Sequence, residues 1–384
     1  MIYLDNSATT PLADEVREAM MPYLEGEFGN ASSVHTLGVR ARVALDDARE
    51  TIARAINAEP KEIIFTSGGT EANNTAIKSA LFRHYREHFA GKPWSDLHIL
   101  TSRAEHQAVL QPIEWMEKIG AVASYADVDS FGRIIIESVA QKLTPETALA
   151  SFMLVNNETG AISPIKEIAE LVKSKTNAVV HTDAVQALGK IPVDIRELGV
   201  DLLSLSAHKI HGPKGIGALY ARTGFDWESL IHGGSQERNR RGGTEAVALA
   251  VGFAAAVKLM AGHEVHFRDL RNYLLTKLRD IPEVVLNSAT DDTSVDAIVN
   301  LTFIPEVLAR LDADALIIRF DLVGVAISNG SACTSGSAQP SHVLLACGKG
   351  DEVANKSIRV SFSRYNTFSD IDKFIEAIRK IIPR

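Results

Sequence analysis

Apolar positions follow two rhythms along this chain. Short, nearly continuous apolar runs predict buried strands at 62–66, 97–101, 148–155, 178–181 and 201–206. Between them lie helical or loop segments, including one from Ser67-Gly68-Gly69-Thr70 to near His88 and one beginning near His106. Strands alternating with helices predict a mostly parallel sheet covered on both faces. Ligands on such sheets bind outside the carboxyl ends of the strands. From about Glu245 the rhythm changes. Two long helical patterns, 246–260 and 264–279, are followed by a strand at 297–303, a helical piece at 305–311 and an irregular Gly/Ser stretch. The first of these helices, rich in Ala, Val and Leu, is expected to be buried or interdomain. Thr367-Phe368-Ser369-Asp370 reads as the start of a closing helix with Ile371, Phe374, Ile378 and Ile381 as its apolar stripe. The expected architecture is α/β, with a large domain at 15–257 and a smaller α+β domain made of 1–14 and 258–384.

A length of 384 residues suits two domains sharing a cleft. Apolar residues at 46% and charged residues at 23% are an ordinary globular balance, and the net charge of -8 argues against a nucleic-acid surface. No apolar run reaches the roughly 20 residues that span a bilayer. The start, Met1-Ile2-Tyr3-Leu4-Asp5, lacks the basic and then apolar pattern of a secretory signal. A cytoplasmic location is therefore expected, with Cys333 and Cys347 as reduced thiols.

Candidate chemistry concentrates at strand ends. Lys209 lies in Ser204-Leu205-Ser206-Ala207-His208-Lys209-Ile210-His211-Gly212-Pro213-Lys214-Gly215, between a strand and a Gly/Pro turn. A partly desolvated lysine there can act as a nucleophile, and the neighbouring Ser and His can bind a phosphate. The run therefore reads as a lysine that forms a Schiff base with pyridoxal phosphate, against the plainer reading of a turn lysine. Asp183 follows the strand at 178–181, where a carboxylate suits a pyridine nitrogen or caps a helix, and Gln186 can reach a phenolic oxygen if the chain turns helical. Gly69 and Thr70 open a helix, where free amides attract anions. His106 can stack on an aromatic cofactor or simply start a helix. Asn157 can orient a carboxylate or cap a turn. Arg359, on an apparent strand, needs an anion, either a substrate carboxylate or an internal partner. Cys333 sits in Gly330-Ser331-Ala332-Cys333-Thr334-Ser335, too small and polar for a core, and reads as a nucleophile that must move. Cys347, among apolar neighbours, reads as packing. His84-Tyr85-Arg86-Glu87-His88 matches the inverted zinc-peptidase pattern, but its polar surroundings suit a solvated helix end.

Taken in order, these pieces resemble the cysteine desulfurases, pyridoxal-phosphate enzymes of fold type I. The likeness runs from Tyr3-Leu4-Asp5-Asn6-Ser7-Ala8-Thr9-Thr10-Pro11 through Phe65-Thr66-Ser67-Gly68-Gly69-Thr70-Glu71 and Val155-Asn156-Asn157-Glu158 to Ser357-Ile358-Arg359-Val360-Ser361. The cysteine segment, continuing to Ser341-His342-Val343-Leu344, is similar to that of the group with an extended loop. The resemblance implies Lys209 as the Schiff-base lysine, Asp183 on the pyridine nitrogen, Gln186 on the phenolic oxygen and His106 stacked on the ring. It implies Gly69, Thr70, Ser206 and His208 around the phosphate, and Asn157 and Arg359 on the carboxylate of L-cysteine. Cys333 would receive the sulfur for an acceptor protein serving iron–sulfur cluster assembly or tRNA thiolation. Thr244 matches a residue that reaches the other subunit's phosphate, which implies a homodimer. Gly242, Ser235 and Ala246 depart from the family's usual Ser, Gly and Asn around that contact. The chain also ends soon after Ile382, without the longer tail frequent in members that serve a cluster scaffold. The alternatives are a class V aminotransferase, a selenocysteine lyase, or an inactive sulfur carrier on the same fold.

Overall fold

The computed structural model describes residues 1–88, 93–329 and 339–382. Seven strands form the central sheet: β1 (Ile63–Thr66), β2 (His98–Ser102), β3 (Val122–Ala126), β4 (Thr147–Met153), β5 (Val179–Asp183), β6 (Leu202–Ser206) and β7 (Gly217–Ala221). Their order is β1-β7-β6-β5-β4-β2-β3, and only β7 runs antiparallel to its neighbours. Six of the seven are buried along their whole length. Side chains alternate across a strand, so consecutive residues must fill two different cores. Ile64, Ile99, Leu149, Val179, Leu202 and Leu219 pack with helices Gly69–His88 and Gln107–Lys118. Phe65, Leu100, Ala150, Val180, Leu203 and Tyr220 face the opposite core, with helices Thr36–Ala55, Ile165–Lys175 and Val247–Lys258. Sheets buried on both faces explain why these strands read as continuous apolar runs.

Helix Val247–Lys258, expected to be buried or interdomain, lies in this second core against Asp14–Leu24 and Thr36–Ala55. Its contact is close enough that a Cβ on Gly252 would meet Met20 Sδ at 2.6 Å.

Three antiparallel strands make a second sheet: β8 (Val284–Leu286), β9 (Ile298–Phe303) in the middle and β10 (Ile358–Ser361). Helices Glu264–Leu278 and Phe368–Ile381 cover it. Thr367 and Asp370 form a reciprocal cap at the start of the closing helix, and Ile371, Phe374, Ile378 and Ile381 are all buried, as the stripe predicts. Leu4 belongs to this core, and Ile2–Tyr3 pairs with Val325–Ala326. From there residues 5–13 cross to the large sheet, where Thr10 N donates to His208 O at 3.0 Å and Ala13 N to His211 O at 3.1 Å.

Two strands of the central sheet differ from the expectation, and Val284–Leu286 is a third that the sequence pattern did not predict. β3 is an edge strand with mixed burial, so its pattern is not a clean apolar run. β7 follows the Gly/Pro turn directly, and its antiparallel pairing makes the Lys209 segment the connection of a β6–β7 hairpin.

A buried ion pair ties the second core to the segment before Thr244. Arg49 donates to Glu237 through Nη1 at 2.7 Å and Nη2 at 2.8 Å, and Phe65 N donates to the same carboxylate at 3.2 Å. Glu237 is held at φ 47. Glu237→Ala would leave the Arg49 charge buried without its partner, and should lower the unfolding free energy by about 3–5 kcal/mol. Denaturant unfolding followed by circular dichroism checks this.

Candidate active site

A cavity of about 360 Å³ is lined by residues from the ends of β4, β5 and β6, from the N-terminal crossing and from β10. It brings together Gly69, Thr70, His106, Asn157, Asp183, Gln186, Ser206, His208, Lys209 and Arg359. These are ten of the positions singled out in the sequence, drawn from segments up to 290 residues apart (359 minus 69).

Asp183 is the last residue of β5 and buried. Its Oδ2 accepts from Asn73 Nδ2 at 2.6 Å and its Oδ1 from Val185 N at 2.9 Å. The expected helix cap is absent, because the chain after Asp183 forms turns; Oδ1 closes one of them, and the residue lines the cavity. Gln186 is also buried, and donates from Nε2 to Ser7 O at 2.9 Å. Lys209 ends a 3₁₀ turn, Ala207–Lys209, and its Nζ donates to Ala8 O at 2.7 Å and also to Ser7 O.

His106 caps helix Gln107–Lys118 by accepting from Ala108 N at its Nδ1, 3.0 Å away. That bond leaves the ring proton of the neutral imidazole on Nε2. Burial, with Lys209, His342 and Arg359 adding to it against Asp183, holds the ring below its usual range, so it is neutral at pH 7. His208 is pushed down to about 4, by burial first and then by Lys209 and Lys214.

Helix Gly69–His88 begins where β1 ends, with its first-turn amides at the cavity. A Cβ on Gly69 would meet Val185 Cγ2 at 2.8 Å, so glycine is required for this approach. Thr70 is exposed at the mouth.

Asn156 caps its turn by accepting from Glu158 N and Thr159 N, whereas Asn157 lines the cavity. Arg359 Nη2 pairs with Asp5 Oδ1 at 2.8 Å and its Nη1 donates to Asn157 O at 2.9 Å, so an internal partner is present. Five buried polar atoms of this lining have no protein partner: Ser7 Oγ, Ser206 Oγ, Asn157 Oδ1, Asn73 Oδ1 and Arg359 Nε. Buried polar atoms are otherwise almost always satisfied. The Ser7 and Ser206 hydroxyls and Arg359 Nε–H can donate to anionic oxygen, while the amide oxygens of Asn73 and Asn157 suit a donor such as an amine. A pyridoxal phosphate with an amino-acid carboxylate has that chemistry, and the donor set fits it.

Sequence reasoning missed Asn73, Ser7, Ala8 and Glu105. Asn73 stands four residues after Gly69 on one helix, so its face was readable. Ser7 and Ala8 act through backbone carbonyls about 200 residues from Lys209, and carry no local signal. Glu105 is buried beside the site, accepting from Ser102 Oγ at 2.9 Å and Met153 N at 3.0 Å. Burial pushes its carboxyl up to about 8.

Thr244 lies outside this cavity, exposed in a separate one of about 140 Å³ with Glu237, Arg241 and Glu245. Cys333 lies outside the described residues. On the side that follows it, Ser341 Oγ donates to Glu158 Oε2 and His342 Nε2 donates to Glu105 O at 2.8 Å. Cys347 is buried, its thiol pushed up to about 12 by that burial. Of the zinc-like pattern, Glu87 pairs with Arg83 at 3.0 Å, and the side chain of His88 is outside the described residues.

A family model described as aminotransferase class V matches residues 2–374, and the chain belongs to that family of pyridoxal-phosphate enzymes. It is 44% identical to the cysteine desulfurase IscS of Dictyoglomus turgidum, over 100% of this chain and 95% of that one. A solved NifS-like protein superimposes with a TM-score of 0.89 at 33% identity, covering 99% of this chain and 98% of the other. The structure of SspA in complex with cysteine matches with a TM-score of 0.82 at 34% identity, over 96% of this chain and 100% of that chain.

Glu105 gives this site a pH signature. Its carboxyl ionises near 8 when folded, against an ordinary value of 4.5. The folded state therefore keeps a proton that the unfolded chain loses. Its contribution is complete below about 4.5 and declines as pH rises toward 8, by at most about 1.4 kcal/mol per pH unit. Glu105→Gln should remove that slope, so melting temperatures of the two proteins, measured across this range, should diverge progressively.

Proposed function

We propose that the protein is a cysteine desulfurase that converts L-cysteine to L-alanine and leaves the sulfur as a persulfide on Cys333. The observation that carries this reading is the convergence of two buried, unpartnered donors, Ser206 Oγ and Arg359 Nε, on the cavity that holds Lys209. Pyridoxal phosphate, when bound, supplies an aldehyde for an amine and an electron-poor ring that takes up charge from the substrate's Cα.

Lys209 would hold the cofactor covalently. Asp183, oriented by Asn73 and Val185, keeps the proton on the ring nitrogen. Gln186 donates to the phenolic oxygen, and the neutral His106 ring lies against the cofactor's face. Gly69 N, Thr70, Ser206 and His208 hold the phosphate. Asn157 and Arg359 bind the substrate carboxylate, with Arg359 keeping Asp5 on Nη2 while offering Nε. Once displaced by the substrate amine, Lys209 moves the Cα proton. The Cys333 thiolate attacks the substrate sulfur. The Cβ–S bond breaks with its electron pair on carbon, which is protonated to the methyl of alanine, and the sulfur becomes the outer atom of the persulfide. No external oxidant or reductant enters, since the sulfur's gain of oxidation state matches the carbon's loss. An acceptor protein then takes the sulfur.

Thr244 is assigned to the phosphate site of a second copy, which makes the active form a homodimer. Val39 and Val43, one turn apart on helix Thr36–Ala55 and 51% and 54% exposed, support this as apolar surface that a second copy would cover. Residues 15–257 are assigned to the cofactor domain, and 1–14 with 258–384 to the smaller one.

Two substitutions test the assignment. Lys209→Ala should abolish the visible absorbance of the reconstituted protein and its fixation by borohydride. Cys333→Ala should stay yellow while losing at least 10²-fold in alanine formation from L-cysteine, the scale of loss expected for removal of a reacting group. Full turnover in Cys333→Ala would sink the sulfur-acceptor role. Keto-acid products in place of alanine would point to an aminotransferase.

A further inference from the structure

One lysine close to the cavity has no place in that chemistry. Lys190 follows β5 on the turn that carries Gln186, and its Nζ donates to Gln186 Oε1 at 3.1 Å. It shares a small cavity of about 30 Å³ with Lys209, beside the N-terminal crossing. The result is a chain of hydrogen bonds between two lysines. Lys190 Nζ donates to Gln186 Oε1, Gln186 Nε2 donates to Ser7 O, and Lys209 Nζ donates to that same carbonyl.

We propose that Lys190 is a positioning residue that fixes the Gln186 amide with its N–H₂ end toward the cofactor site. An amide can present either end, and its neighbours decide which. Reversed, Gln186 would set its own carbonyl oxygen against Ser7 O and its N–H groups against the Lys190 donor. Both contacts are repulsive, so this lysine and that carbonyl select one orientation. The groups that face Lys190 electrically are Lys209, Arg359, His208 and His211. Burial first, then the cations Lys209 and Arg359, push Lys190 down to about 7, so the lysine is held in place against a cost. Such a residue earns its position through what it orients.

The inference rests on the reading that Lys209 carries pyridoxal phosphate and that Gln186 faces its phenolic oxygen. A donor on that oxygen lowers the pKa of the cofactor–lysine linkage, and so does a nearby cation. The test is a visible-absorbance pH titration of the holoenzyme, with Lys190→Met and Lys190→Arg, each also in a Gln186→Ala background. Lys190→Met should raise the linkage pKa by about one unit, while Lys190→Arg, which keeps a cationic donor, should leave it near the native value. In Gln186→Ala the effect of Lys190→Met should shrink by at least half. An unchanged pKa in Lys190→Met, or an equal shift with and without Gln186, overturns the positioning role. A wild-type protein with no absorbance and no label on Lys209 would instead overturn the cofactor reading beneath it.

Discussion

Seven residues hold the two sheets to each other at the point where the chemistry is proposed. Residues 5–11 leave the small sheet and end against the Lys209 turn. On the small-sheet side, Arg359 pairs with Asp5, and Asn6 Nδ2 donates to Ser361 O at 2.8 Å. On the other side, Thr10 Oγ1 donates to His208 O at 2.9 Å while accepting from His211 N at 2.7 Å. Between these anchors the Ser7 and Ala8 carbonyls receive Lys209 and Gln186. Buried carbonyls must find donors, and here the donors are site side chains. Displacing this segment would therefore disturb the lysine, the glutamine and the arginine together.

The same economy governs the carboxyl groups. Glu105 and Asp183 are close enough to influence each other, yet they have different surroundings. Asp183 receives two N–H donors at the cavity wall. Glu105 is enclosed and keeps its proton near neutral pH. Two buried anions side by side would repel, and that repulsion adds to burial in keeping the proton on Glu105. His106 completes the arrangement as a neutral ring, because burial first, and then Lys209 and Arg359, disfavour a second proton there.

Much of this was legible in the sequence because strand ends carry the site. Lys209, Asp183 and His106 each follow a continuous apolar run, and a parallel sheet collects such ends at one edge. Gly69 was readable for the same reason, being the turn from β1 into a helix. Backbone work was illegible. Nothing in Ser7-Ala8 distinguishes two carbonyls that accept from a lysine 200 residues away. Lys190 looked like any lysine, since its significance lies in the burial that surrounds it. The β7 strand hid behind the glycines and proline of the Lys209 turn, where apolar residues resume too soon to be separated from it.

Chain length limits where the Cys333 thiol can go. Ser328 O accepts from Arg359 N at 2.7 Å, so the chain before the cysteine is fixed at a residue that lines the cavity. Five Cα–Cα steps from Ser328 span at most about 17 Å when fully extended. On the far side Ser341 is fixed to Glu158, whose buried carboxyl is raised in pKa by that burial, and His342 to the Glu105 carbonyl. Eight steps from Ser341 span at most about 27 Å. Both anchors stand on segments that also present Asn157, His106 and Arg359 to the cavity. These two lengths, measured from described residues on either side, bound the reach of Cys333. The asymmetry of the two arms makes the Ser328 anchor, held by the Arg359 N–H, the stricter one.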